Sequence, residues 1–408
     1  MLPLIRKFAT AAAVALALAV PPALAQPATP APLTLLISID AFRPDYLGRG
    51  VTPNLRALAA GGVFAEMRPS FPSKTFPNHY TLVTGRRPDE TGIVANNMID
   101  PGHPGTKFTM ANRAASQDGT WWDEAKPIWT SAEEAGKITA PIFWPGSEAD
   151  YHGLRPRYFA AFDGKSTSDE RVNQDLALLD KPPAERPAFM TLYFDAVDTA
   201  GHHFGPDSKE VNAAAAEVDA AIGKLAAGLK ARGVIANIVI VSDHGMAALS
   251  PDRQVYIDDI LPKDSYTTLD LGPIGTIYPV AGHEADVEKA LVAPRPHMQC
   301  WKKQDIPARF HYGHNPRVAP LFCLPDPGWV VTTHDHRSKS PEMGDHGYDN
   351  LAPEMRATFI ASGPEFRHGV KLKTFDNVDV YPLLARLLGV TPQPNDGTLA
   401  DLAPALAN

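Results

Sequence analysis

Residues 188–245, AFMTLYFDAVDTAGHHFGPDSKEVNAAAAEVDAAIGKLAAGLKARGVIANIVIVSDHG, decide the fold. The first apolar run, Ala188 to Phe194, is short and rich in aromatic residues, and reads as a buried strand that runs out near Asp198. From Ser208 to Arg232 an alanine-rich helical pattern follows, which Gly233 breaks. VIANIVIVS is then a second strand, and its exit carries Asp243 and His244. Strand, helix and strand with polar residues at the strand exits is the grammar of an open, mostly parallel sheet with helices on both faces. Ligands bind outside the carboxyl ends of such strands.

Upstream, LTLLISI (33–39) is another buried strand, ending at Asp40, and Thr52, Pro53 and Asn54 open a helix over NLRALAA that Gly61 and Gly62 stop. Downstream, MRATFIAS is a further strand and VDVYPLLARLLG a closing helix. Between Pro251 and Ser340 the pattern loosens into Pro, Gly and aromatic residues. The expected organisation is an α/β catalytic domain of residues 33–250 and 341–408, interrupted by a smaller, partly sheet-like lobe at 251–340.

The first 25 residues place Arg6 and Lys7 ahead of a short apolar run and a small-residue site at Ala23 and Ala25, the order of a secretory signal peptide cleaved before Gln26. Residues 26–32 read as a linker, and the apolar run is shorter than the roughly 20 residues that span a bilayer, so no retained anchor is expected. The implied location is the periplasm or the outside. There a disulfide between Cys300 and Cys323, the two cysteines of the chain, is expected. The formal charge of −8 over 408 residues excludes a non-specific grip on nucleic acid, which needs basic footing. It does not exclude a small nucleotide. With no cysteine cluster, any metal must rest on His and carboxylate, a ligand set suited to zinc.

Seven residues carry the chemistry: Asp40, Thr75, Asp198, His202, Asp243, His244 and His346. Asp198 and His202, four apart, reach one cation if their segment is helical, or else decorate a solvated turn. Asp243 and His244 are adjacent and point different ways, so the pair serves two ions or grips one from opposite sides. Thr75, in SFPSKTFPNHY (70–80), is either the cap of a helix or a hydroxyl raised on its start, where backbone N–H groups favour an anionic phosphoryl group. A hydroxyl is a poor nucleophile at neutral pH unless a base or metal activates it.

The surrounding stretches LISIDAFRPDYL, PSFPSKTFPNHYTLVTGRRPDETGIVANNM, PIWTSAE, FWPGSEA, LYFDAVDTAGHHFGP, VIVSDHGM, GDHGYDN, FDNVDVYPLLARLLG and NDGT resemble the nucleotide pyrophosphatase/phosphodiesterase family of the alkaline phosphatase superfamily, from Asp40 to about Thr398. The resemblance implies an alkaline-phosphatase-like sheet and two Zn2+ ions, one on Asp198, His202 and His346, the other on Asp40, Asp243 and His244 with Thr75 adjacent. It implies that Thr75 attacks phosphorus in line and forms a phosphothreonine. It implies that Asn96 donates to a phosphoryl oxygen, and that Phe76 and Tyr193 stack on a nucleobase rather than merely filling core. The substrate is then a small nucleotide or other phosphodiester, with no stable nucleic-acid partner. Two stretches depart from the family pattern, Ala196-Val197 before Asp198 and Thr91 before GIV, and none of these three residues is a ligand.

Phosphate monoester and phosphonate hydrolysis remain as alternatives on the same scaffold. A monoester asks for extra cationic residues beside the transferred group, and none stands out in the motifs. Lys74 reads as an exposed lysine beside a turn, His79 as structural, and His311, His314, His334 and His336 as surplus to both metal sites. Selectivity for the leaving group is expected from loops around Tyr193 and from Trp121 to Trp129.

Overall fold

The computed structural model describes residues 31–335 and 342–407; the signal-peptide assignment, most of the 26–32 linker and His336 lie outside the described residues. The central sheet is built on strands β1 (Leu33–Ile39), β2 (Val63–Arg68), β3 (Thr139–Pro141), β4 (Phe189–Phe194), β5 (Ala236–Val241) and β6 (Ala357–Ser362). Their spatial order is β2-β6-β5-β1-β4-β3, with Val370–Lys371 on the outer side of β2. β3, β4, β1 and β5 run parallel, whereas β6 runs antiparallel to both β5 and β2.

Alternation along β1 separates two cores. Leu33, Leu35, Ile37 and Ile39 face one side with Met190, Leu192 and Ile240, and pack beneath helices α3 (Ser168–Leu179) and α5 (Lys209–Ala231). Leu36, Val239 and Val241 face the other, beneath α2 (Thr75–Thr84) and α6 (Val380–Leu388). Helices therefore cover both faces, which is why every residue of β1 is buried, Thr34 and Ser38 included. Each fully buried aliphatic side chain contributes roughly 1.5–3 kcal/mol.

Local chemistry fixes the helix ends. Ser208 accepts from the Val211 N–H at 3.2 Å to start α5, and Gly233 leaves the helix in the left-handed region at φ 63°. The helix α1 (Pro53–Gly61) is different: Thr52 makes no capping bond, and the buried Asp219 of α5 accepts from Leu55 N at 2.7 Å and Asn54 N at 3.1 Å instead. A carboxylate from a distant helix thus satisfies the N-terminus that the sequence assigns to Thr52.

Residues 254–332 include a four-stranded antiparallel sheet of Tyr266–Thr268, Gly275–Pro279, Leu321–Pro325 and Met298–Lys302, with the helix Glu284–Val292 packed on it. Cys300 and Cys323 face each other in register there and form a disulfide. Among the described residues, no helix is long and apolar enough to cross a membrane.

Candidate functional site

Register brings the polar residues together. Ile39 of β1 lies opposite Phe194 of β4, and Ser38 opposite Val241 of β5, so Asp40, Asp198 and Asp243-His244 leave the sheet at one edge. Because β6 is antiparallel, the chain that precedes it arrives at that same edge, and Gly344–Asp345 pairs with Ala247–Ala248 directly after the Asp243-His244-Gly245 turn. β2 runs parallel to β5 through β6, so its exit delivers residues 69–75 there too. Gly245 is required for this assembly: a Cβ there would lie 2.0 Å from the Glu354 carbonyl oxygen. Ala41 holds φ 56°, a left-handed turn directly after Asp40, with its N–H 3.3 Å from Asp243 Oδ1.

Asp198 and His202 lie on a helix, α4 (Ala196–Phe204), with His202 Nε2 3.4 Å from Asp198 Oδ1; His346 Nε2 is 3.6 Å from the same oxygen. On the other side His244 Nε2 is 3.4 Å from Asp40 Oδ1 and 3.0 Å from Asp243 Oδ2. Ligand atoms about 2.1 Å from a tetrahedral ion stand about 3.4 Å apart, so these spacings fit zinc-like coordination. The two groups are contiguous: Asp198, His244 and His346 have ligand atoms within 4.8 Å of one another, and the His244 and His346 rings stack at 3.5 Å.

Tautomers reinforce the fit. His202 Nδ1 bonds to the Gly344 carbonyl at 3.0 Å, His244 Nδ1 to that of Gly245 at 2.9 Å, and His346 Nδ1 to that of Ser73 at 2.9 Å. A carbonyl only accepts, so each Nδ1 carries the proton and each Nε2 turns a lone pair into the site. Facing them, Asp40 Oδ1, Asp198 Oδ1 and Asp243 Oδ2 are buried without a hydrogen-bond donor. Buried carboxylate oxygens left this way are costly unless a cation lies between them. His79 is different. Its Nδ1 bonds to the Thr75 carbonyl at 2.9 Å and its Nε2 to Ser38 Oγ at 2.8 Å, so both nitrogens are used and it is a structural strut beneath α2, despite lying 3.3 Å from Asp243.

Burial and neighbouring charge set the electrostatics of the cluster. Burial, with Asp243 and Asp198 nearby, pushes the Asp40 carboxyl well above its ordinary range, and burial raises Asp198 as well. Burial acts upward on Asp243 too, but the His244 and His79 imidazoles hold it well below. His346 is pushed well down by burial and by the neighbouring His244, which keeps it neutral and able to ligate.

Thr75 is the first residue of α2, not its cap: Lys74 takes the cap position without a side-chain bond, and Thr75 Oγ1 lies 3.2 Å from His244 Nε2. The Phe76 N–H donates to Asn96 Oδ1 at 2.9 Å, which leaves the amide NH2 of Asn96 for a ligand. Phe76 and Tyr193 both line a cavity of about 270 Å3 that opens beside Asp40, Thr75 and Asp198. Trp122, Phe143, Trp144 and Phe162 line it too, with the Trp122 ring 5.9 Å from Phe76 and the Phe162 ring 5.9 Å from Tyr193. Tyr193 also donates from its hydroxyl to Asp40 Oδ2 at 2.7 Å, so it serves the cavity and the carboxylate together.

Several expectations need correction. Lys74 is not an exposed turn residue: its side chain is 15% exposed and lies 3.4 Å from Asp345. Trp121 and Trp129 are buried core residues, and of that stretch only Trp122 lines the cavity, because a segment without regular periodicity does not disclose which of two adjacent tryptophans turns inward. Asp345 was missed as a site residue, although it shares a cluster with His202 and His346. The signal was the triplet Asp-His-Gly, which occurs at 243–245 and again at 345–347.

A family model described as type I phosphodiesterase/nucleotide pyrophosphatase matches residues 34–349. A pyrophosphatase/phosphodiesterase of Schizosaccharomyces pombe, itself uncharacterized, is 42% identical over 393 residues, covering 92% of this chain and 80% of the relative. The human bis(5'-adenosyl)-triphosphatase is 38% identical over 90% of this chain and 80% of its own. Among solved structures, murine ectonucleotide pyrophosphatase/phosphodiesterase 5 superposes with a TM-score of 0.87 at 34% identity, covering 92% of this chain and all of that one. An inactive threonine-to-alanine variant of the same murine protein, solved in complex with AMP, also has a TM-score of 0.87, at 33% identity and with the same coverage.

Proposed function

The chain belongs to the type I phosphodiesterase/nucleotide pyrophosphatase family and is a hydrolase, and from that premise we propose that it cleaves nucleotide phosphodiester or phosphoanhydride bonds to release a nucleoside 5'-monophosphate through a phosphothreonine on Thr75. The observation that carries this reading is the convergence of three imidazole Nε2 lone pairs and three donor-less carboxylate oxygens at the sheet edge where the Thr75 hydroxyl lies 3.2 Å from His244, beside an aromatic cavity.

In this reading Asp198, His202 and His346 hold one Zn2+, and Asp40, Asp243 and His244 the other, next to Thr75. Bound there, the ions supply Lewis acidity and neutralise charge on the phosphoryl group. The residues do the rest. The start of α2 fixes the Thr75 hydroxyl rigidly at the sheet edge, and its backbone end favours the anionic group. Asn96 donates its NH2 to a phosphoryl oxygen, a stabilisation worth roughly 10²–10³ in rate for a comparable donor. Phe76 and Tyr193 receive the base, with Trp122 packed beside Phe76. The AMP complex of the murine relative supports a nucleotide, and its inactivation by a threonine-to-alanine exchange supports a threonine nucleophile. We further read residues 251–340 as a lobe inserted into the catalytic domain, and the leader and disulfide as features of an exported protein, periplasmic or secreted.

A diester is favoured over a monoester by the partnering of nearby cations. Lys74 pairs with Asp345, and Arg113 at the cavity rim pairs with Glu148, so neither is free to take up a second negative charge on the transferred group. The test is a comparison of bis-p-nitrophenyl phosphate with p-nitrophenyl phosphate, for the wild type and for Thr75→Ala. Higher kcat/KM on the diester, abolished in Thr75→Ala, is the expected result. Higher efficiency on the monoester overturns the diesterase reading, and full activity in Thr75→Ala overturns the nucleophile.

A further inference from the structure

Asn96 lies in a stretch, residues 92–97, that belongs to neither helix nor strand. No ladder fixes its backbone, so other groups must hold it for Asn96 to act as a rigid donor. Those groups come from the 251–335 stretch of the chain. The Tyr312 hydroxyl donates to the Val94 carbonyl at 3.0 Å. Arg317 donates from Nη1 to the Gly92 carbonyl at 3.0 Å and to that of Trp121 at 2.8 Å, and from Nε to Asp100 Oδ2 at 2.7 Å. Asn97, next to Asn96, donates to Asp270 Oδ1 at 2.6 Å. Three residues of one stretch thus bracket Asn96 at positions 92, 94, 97 and 100.

The bracket is itself braced. Tyr312 and Arg317 are 3% and 5% exposed, and the Tyr312 ring stands edge-on to Phe71 and Phe322. Asp89 accepts from the backbone N–H groups of Gly313 at 3.0 Å, His314 at 2.8 Å and Asn315 at 3.0 Å, so the segment that carries Tyr312 and Arg317 is tied to the helical turn just before Gly92. Gly92 admits the guanidinium: a Cβ there would lie 2.5 Å from Arg317 Nη1.

We propose that Tyr312, with Arg317 and Asp270, is a positioning device that holds the Asn96 amide against the transferring phosphoryl group. None of the three touches the reacting atoms. The inference rests on the role given to Asn96 above. A donor displaced by a fraction of an ångström loses much of its effect on the transition state while leaving the cavity intact.

The experiment is a double-mutant cycle on the metal-loaded enzyme: wild type, Tyr312→Phe, Asn96→Ala and the double variant, with kcat and KM on bis-p-nitrophenyl phosphate. Tyr312→Phe is expected to lower kcat roughly tenfold with KM nearly unchanged, and to have no further effect once Asn96 is alanine. A purely structural role would lower activity by the same factor in both backgrounds, and that result, or an unchanged kcat, overturns the positioning role alone. Full activity in Asn96→Ala removes the donor reading and the positioning device with it. Should Tyr312→Phe fold poorly, Asp270→Ala tests the same bracket at its other end, with the same expected non-additivity.

Discussion

Replacing Tyr193 by Phe separates two tasks that the structure assigns to one residue. The ring lines the cavity, and the hydroxyl donates to Asp40 Oδ2 at 2.7 Å; the other oxygen, Oδ1, has no donor at all. Tyr193→Phe keeps the ring and removes this bond. A hydrogen bond to a charged group contributes about 1.5–3 kcal/mol, and each 1.4 kcal/mol is tenfold, so affinity at the Asp40 metal position should fall roughly 10- to 100-fold. The bond also works to lower the Asp40 carboxyl against the upward push of burial, so its loss makes metal loading weaker still as pH falls. The assay is zinc competition against a chromophoric chelator at pH 6 to 8, read together with turnover at saturating zinc and with inhibition by AMP. Zinc affinity should drop while turnover at saturation and AMP inhibition stay near wild type. Unchanged zinc affinity, or a loss of turnover that excess zinc does not restore, refutes the reasoning.

Two further outcomes concern stability. Burial pushes the Asp379 carboxyl from 3.8 to about 6, so the folded state binds this proton more tightly than the unfolded chain; the benefit is complete below pH about 4 and is lost as pH rises through 6. Asp379→Asn keeps an acceptor for the Thr398 N–H, and its stability relative to wild type should improve by up to roughly 3 kcal/mol between pH 4 and pH 8 in urea unfolding; a pH-independent difference contradicts this. Replacing Cys300 and Cys323 with alanine opens a cross-link between residues 23 apart and should cost about 3–4 kcal/mol, measured by denaturant unfolding with and without reductant. Loss of the reductant effect without loss of stability would place the constraint elsewhere.

Strand exits were legible because an apolar run that stops abruptly at Asp40 or Asp243 has few structural interpretations. The register of β1 against β4 and β5 then brings those carboxylates to one edge. Partners that lie far along the chain were not legible. Lys74 reads as a surface lysine because Asp345, 271 positions away, is invisible to any local pattern. The same holds for Asp219 capping α1 and for Tyr312 reaching Val94. Thr75 was ambiguous between cap and nucleophile because both readings begin at the same helix start; the position of its hydroxyl against His244 is a tertiary fact.

The antiparallel course of β6 has a consequence for the life of the polypeptide. Asp40 emerges early in synthesis, yet His346 reaches the shared edge only when the returning segment pairs with Ala247–Ala248 and β6 slots between β5 and β2. Until then the cluster lacks His346, and the sheet lacks the strand that joins its two sides. A chain that has not yet reached Gly344 therefore lacks one of the three imidazoles that meet at this edge. The segment that brings His346 to the edge is thus encoded about 300 residues after Asp40.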